Sequence, residues 1–112
     1  MSLADEIEIR ISGNLCQPIT LITRGGMRLA TTIIGASPVA LVAGQMAATP
    51  VYLPLEVRGA ANAAAFAARA GLGSRLIVRG TLEQRPTVPH TYVVVVERLL
   101  YVAPPAGDVQ EA

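Results

Sequence analysis

Residues 53–82 read LPLEVRG, then AANAAAFAARAG, then LGSRLIVRGTL, and this stretch decides the fold. Leu53, Leu55 and Val57 alternate with Pro54, Glu56 and Arg58, the period-two pattern of a half-buried strand that ends at Gly59. The alanine-rich run after it suits a helix and not a strand. Asn62 is placed to cap a helix over Ala63 to Ala70, with Gly71 as its C-terminal stop and Phe66 as its anchor. Gly73-Ser74 then turns into a second alternating strand, Arg75 to Leu82, with Gly80 inside it. A strand–helix–strand unit this compact, in a short chain otherwise made of strands, points to a small barrel and away from an enzyme.

Working outward, Ile7, Ile9 and Ile11 alternate with Glu8, Arg10 and Ser12 in a half-buried first strand. Gly13-Asn14 permits a bulge or sharp bend, and Pro18 marks a kink or edge. Ile19 to Thr23 continues as strand, and Arg24-Gly25-Gly26 makes a hairpin turn. Met27, Leu29, Thr31 and Ile33 share one face of the returning strand, which Gly35 to Pro38 ends. The third strand spans Thr49 to Gly59, and its Pro54 needs an edge or a bulge. Glu83 to His90 is a loop, and Thr91 to Val102 is the last strand. The predicted fold class is therefore all-β: a five-stranded OB-fold Greek-key barrel with one short helix between strands 3 and 4. Residues 1–5 are expected to be a flexible N-terminus, 6–102 the OB-fold domain, and 103–112 a disordered tail.

Composition narrows the function. Of 112 residues 52% are apolar and 15% charged, enough for one modest core and against disorder. Between Ile9 and Val102 lie all nine Arg and only Glu56, Glu83 and Glu97, a balance of +6 on the barrel. A basic body suits a polyanion, although many neutral-function domains share it. The single Cys16 excludes an internal disulfide and is expected to be a small buried hydrophobe, which fits a reducing cytoplasm. The first eight residues have no apolar core of a secretory signal.

Four segments resemble the bacterial single-stranded DNA-binding protein family. Ile11-Ser12-Gly13-Asn14-Leu15 with Pro18 looks like its opening strand, and Val57-Arg58-Gly59 like its strand-three exit. Gly73-Ser74-Arg75-Leu76-Ile77-Val78-Arg79-Gly80-Thr81-Leu82 resembles its Gly-Ser strand, and Val95 to Val102 its closing strand. Leu53-Pro54-Leu55-Glu56-Val57-Arg58-Gly59 also resembles the third strand of the primosomal replication protein N branch. The resemblance implies a non-catalytic oligomer, dimer or tetramer, that binds single strands with little sequence preference. Tyr52 falls where the family carries a stacking aromatic. Arg58 falls where it carries another, Thr87 lies near a third, and Pro38-Val39-Ala40 stands where a fourth is common. The family's acidic tail ending in Pro-Phe has no counterpart here.

Two functions follow as expectations. The first is binding of single-stranded DNA in replication, repair or recombination, in the cytoplasm. Tyr52 stacks on a base, and Arg28, Arg58, Arg75, Arg79 and Arg85 meet phosphates. The alternative is a protein-interaction OB module, primosomal or otherwise attached to replication and repair proteins, with weak or lost DNA binding. No charged residue occurs from Leu29 to Leu55, and Val39, Leu41, Val42 and Met46 are candidates for a protein interface there. The competing readings are an ordinary alanine-rich loop for that segment and solvated strand faces for the arginines. Ser37, Pro38, Gly44 and Gln45 interrupt the segment too early for a membrane span. His90 beside a proline turn reads as a loop residue, and one Cys with one His cannot form a conventional zinc cluster. No cofactor, metal site or catalytic residue is expected.

Overall fold

Strand β1 (Ile7–Leu15) turns Ile9, Ile11, Gly13 and Leu15 inward and Glu8, Arg10, Ser12 and Asn14 outward, as its alternation requires. The computed structural model describes residues 5–85 and 91–105. The expectations for the first four residues, for Thr87 and His90, and for the tail from residue 106 lie outside them.

A hairpin follows, β2 (Thr20–Arg24) and β3 (Met27–Ala36). Gly25 and Gly26 carry its turn at φ of 59° and 80°, the paired positive values of a two-residue turn matched to strand twist. A second hairpin, β4 (Val39–Val42) and β5 (Gln45–Ala48), pairs with itself as a separate two-stranded sheet. The segment, whose competing readings are a protein interface and an ordinary alanine-rich loop, thus contains two short strands. Then come β6 (Val51–Arg58), α1 (Ala60–Arg69), β7 (Arg75–Gln84) and β8 (Tyr92–Ala103). Strands pair in the order β1-β7-β8-β6-β3, with β2 added beyond β3 and a further β1–β3 pairing that closes the barrel. β6 and β8 run parallel and the other pairs antiparallel. This closed five-stranded barrel, with its helix between the third and fourth barrel strands, is the OB-fold.

The helix begins three residues before the predicted Ala63. Gly59, at φ 100°, turns the chain directly out of β6, and its carbonyl accepts from the Ala63 N–H at 2.8 Å. Asn62 does not cap the helix; its Nδ2 donates to the Arg58 carbonyl at 3.4 Å. Gly59 N–H also donates to the Arg28 carbonyl at 2.8 Å, tying the helix start to β3. Phe66 and Ala63 face inward and plug the barrel.

The core runs through Ile11, Ile34, Leu55, Leu76, Val78 and Val94. Each such buried side chain contributes about 1.5–3 kcal/mol. On β3 the core face is Ala30, Thr32 and Ile34, opposite to the predicted apolar face, and Leu29 is buried on the outer side. Thr32 is accommodated because its Oγ1 donates to the Gln17 carbonyl at 2.8 Å. Pro54 falls just before β6 begins to pair with β8 at Leu55, so it costs no ladder bond there. Cys16 is exposed and not a core residue, because it lies past the end of β1.

Two glycines allow close backbone approach, Gly13 at the barrel closure and Gly80 in the β7–β8 pair. β1 meets β3 only at Asn14↔Gly35 and Leu15↔Ile34. A Cβ on Gly13 would lie 2.3 Å from the Gly35 carbonyl oxygen. At a register shift within the β7–β8 pair a Cβ on Gly80 would lie 2.1 Å from the Val95 carbonyl oxygen. Both obstacles are backbone and cannot swing aside. Gly13→Ala and Gly80→Ala are each expected to lower stability by about 3 kcal/mol in urea denaturation. Gly71→Ala, with nothing within 4 Å of the added methyl, leaves it unchanged or slightly raised.

Candidate nucleic-acid interface

One register row crosses the outer wall of the barrel through the seam. Tyr52 on β6 is opposite Gly35 on β3, Gly35 is opposite Asn14 on β1, and Asn14 is opposite Arg75 on β7. Because Gly35 has no side chain, the Tyr52 ring lies close over it; a Cβ there would be 3.1 Å from Tyr52 Cε1. The ring remains 63% exposed. Arg75 donates from Nη1 to Asn14 Oδ1 at 3.0 Å and from Nη2 to Ser12 Oγ at 2.9 Å. Its guanidinium is thus oriented by neutral acceptors. Ser12, Asn14, Gly35, Ser37, Val51 and Arg75 are among the residues bordering a groove of about 690 Å³. The row combines a stackable ring with an oriented cation that forms no ion pair among the described residues.

A second groove, of about 570 Å³, opens on the outer side of β2, β3 and β6 and holds Arg58 and Arg85. Its electrostatics are different. Glu56 is 3% exposed, and Arg24 and Arg58 both donate to its Oε1, Arg58 from Nε at 2.8 Å. Arg58 Nη2 also reaches Glu83 Oε1 at 3.0 Å. Burial alone raises the Glu56 pKa, but the two arginines outweigh it and hold the carboxyl below its ordinary 4.5. The hydrogen bond that Arg58 donates to Glu56 pushes the Arg58 pKa up against its own burial, with Glu83 adding to the rise. Two carboxylates therefore compensate the two arginines, and Arg58 is fixed in place as an internal partner.

The candidates separate accordingly. Tyr52 and Arg75 fall on one register row, three strand pairings apart, and Arg79 lies on the same outer wall two outward rows along β7. Arg58 and Arg85 sit in the compensated groove, and Arg28 stands near the helix start. Val39, Leu41 and Val42 lie in β4, and Met46 lies in β5 with its side chain 68% exposed. Sequence reasoning missed Arg98 and Tyr101. Two irregularities in the β7–β8 register, which skip Glu97 and Leu100, place both opposite outward residues of β7. Strict alternation cannot assign them to one face.

No protein-family model matches the chain, and no curated protein does. Solved structures do. The second single-stranded DNA-binding protein (SSBb) of Mycobacterium smegmatis superposes with a TM-score of 0.64 at 18% identity, over 96% of this chain and 94% of that one. The Plasmodium falciparum SSB, in complex with ssDNA, gives 0.72 at 13% identity, over 87% and 91%. PriB of Ralstonia solanacearum gives 0.68 at 15% identity, over 88% and 98%. At these identities the likeness establishes the OB-fold that the chain shares with them.

The Glu56 cluster sets a pH dependence. Its folded pKa lies below 4.5, so its stabilisation is complete above that value and is lost as pH falls through the lowered one. Glu56→Gln is expected to cost about 1–3 kcal/mol at neutral pH. In urea denaturation at stepped pH, the gap to wild type should close on acidification. A gap that persists unchanged at low pH would refute the assignment.

Proposed function

We propose that this chain is a non-catalytic OB-fold protein that binds single-stranded DNA in replication, repair or recombination. The row Tyr52–Gly35–Asn14–Arg75 carries the reading, because it presents both elements the task needs. An exposed ring accepts a base of any sequence, and a guanidinium three strand pairings away on the same row, oriented by Asn14 and Ser12, meets the backbone. The likeness to a SSB bound to ssDNA supports the same reading. Arg79 extends the basic wall. Arg85 and Arg28 would act at its margins, and Arg58 chiefly by holding Glu56. Among the described residues no group of three or more His, Cys, Asp or Glu is placed to hold a metal ion.

The β4–β5 hairpin supports a second element of the proposal, self-association. It is uncharged, pairs only with itself and exposes Met46. Such a hairpin gives phosphate nothing to bind but suits contact between copies. Val39, Leu41, Val42 and Met46 are the residues proposed for it.

Fluorescence anisotropy with labelled oligo(dT) should show saturable binding at low salt that weakens steeply as salt rises. Tyr52→Ala should weaken binding about 5- to 100-fold, the range for one lost stacking platform. No saturable binding by the wild type would overturn the proposal. Light scattering should show an oligomer that Leu41→Asp or Met46→Asp reduces; a monomer indifferent to both would refute the interface.

A further inference from the structure

Arg10, Arg79 and Arg98 form one cross-strand row on the outer wall. Arg10 on β1 is directly opposite Arg79 on β7, which is directly opposite Arg98 on β8. All three are exposed, and none forms an ion pair among the described residues. Like charges directly opposite on neighbouring strands are destabilising, and this row contains two such pairs in succession. The contrast with the other groove is sharp: Arg24 and Arg58 are both paired with Glu56.

The surroundings give the row a direction. Toward the seam, the next outward row is Ser12, Ile77 and Tyr101, with Tyr101 50% exposed. Beyond it lie Asn14 and Arg75, and across Gly35, Tyr52. At the strand rise, the Arg75 row lies about 13 Å from the Arg10 row. On the far side the charge reverses: Glu8 is opposite Thr81, whose Oγ1 donates to Glu97 at 3.2 Å. An acidic margin therefore bounds a band that contains two exposed tyrosines and four arginines.

We infer that a nucleic-acid single strand crosses the β1–β7–β8 wall. A base is held at Tyr52, a second platform is Tyr101, and Arg10, Arg79 and Arg98 meet the phosphates. This rests on the reading of the chain as a single-strand binder and gives it a path. A polyphosphate backbone is the ligand chemistry that turns the repulsion of the row into attraction.

The test compares labelled oligo(dT) binding across a salt series for wild type, Arg98→Gln, the triple Arg10→Gln/Arg79→Gln/Arg98→Gln variant and Tyr101→Ala. Each arginine removed should lower the slope of log Kd against log salt by about one. The triple variant should bind at least about tenfold more weakly at low salt. Its melting temperature should equal or exceed that of wild type, since repulsion is removed. Tyr101→Ala should weaken binding about fivefold or more. Arg69→Gln removes the same charge from α1, which packs on β3, β6 and β2, and should leave the slope unchanged. A wild type that fails to bind overturns both this path and the proposed function. A wild type that binds, with Arg98→Gln and the triple variant keeping its slope, overturns the path alone. Unaltered binding with a changed oligomeric state also overturns it, and shows that the row faces a second copy.

Discussion

Barrel closure is the constraint on which the rest of the structure depends, and it is achieved over two residue pairs between β1 and β3. That short seam requires backbone at van der Waals distance, which the missing side chains of Gly13 and Gly35 allow. The same closeness arranges the outer wall. Gly35 lies between Tyr52 and Asn14, so a ring on β6 and a guanidinium on β7 stand on one row though three strand pairings separate them. Folding constraint and the proposed binding geometry share these glycines. A side chain at Gly35 would meet Cys16 Sγ at 2.6 Å and the Tyr52 ring at 3.1 Å.

Charge is divided between two tasks. Glu56, buried on the outer side of β6, needs cations and takes Arg24 and Arg58. These are the arginines least able to serve a ligand, because exchanging a buried carboxylate for an exposed phosphate leaves Glu56 uncompensated. The arginines of β1, β7 and β8 have no such obligation among the described residues. The two sides thus differ in pairing: Arg24 and Arg58 are held by Glu56, while Arg10, Arg75, Arg79 and Arg98 form no ion pair among the described residues.

The fold was readable wherever physics acts locally. Alternation marked β1, β6 and β7, two consecutive glycines marked the first hairpin, and the alanine run marked the helix. Predictions failed where a distant partner decides. The helix starts at Ala60 because Gly59 adopts a positive φ and bonds to β3, not because of Asn62. The inner face of β3 is set by its pairing with β6, which carries Leu55 opposite Thr32. Glu56 is two residues from Arg58 on β6, but that it is buried and shared with Arg24 of β2 is set by the barrel. Tyr101 and Arg98 were invisible as a set because register shifts break the parity of β8. Tyr52 and Arg75 are both candidates from the sequence, but nothing in the linear chain says that Gly35 and Asn14 put them on one row.

The central claim is that the row through the seam is where a single strand sits. Amide chemical-shift mapping of isotopically labelled protein, titrated with oligo(dT) at low salt, tests it most directly. The account predicts saturable shifts centred on Asn14, Gly35, Tyr52 and Arg75 and extending along β7. Shifts confined to the Glu56–Arg58 groove or to the β4–β5 hairpin, with the seam unmoved, would contradict it.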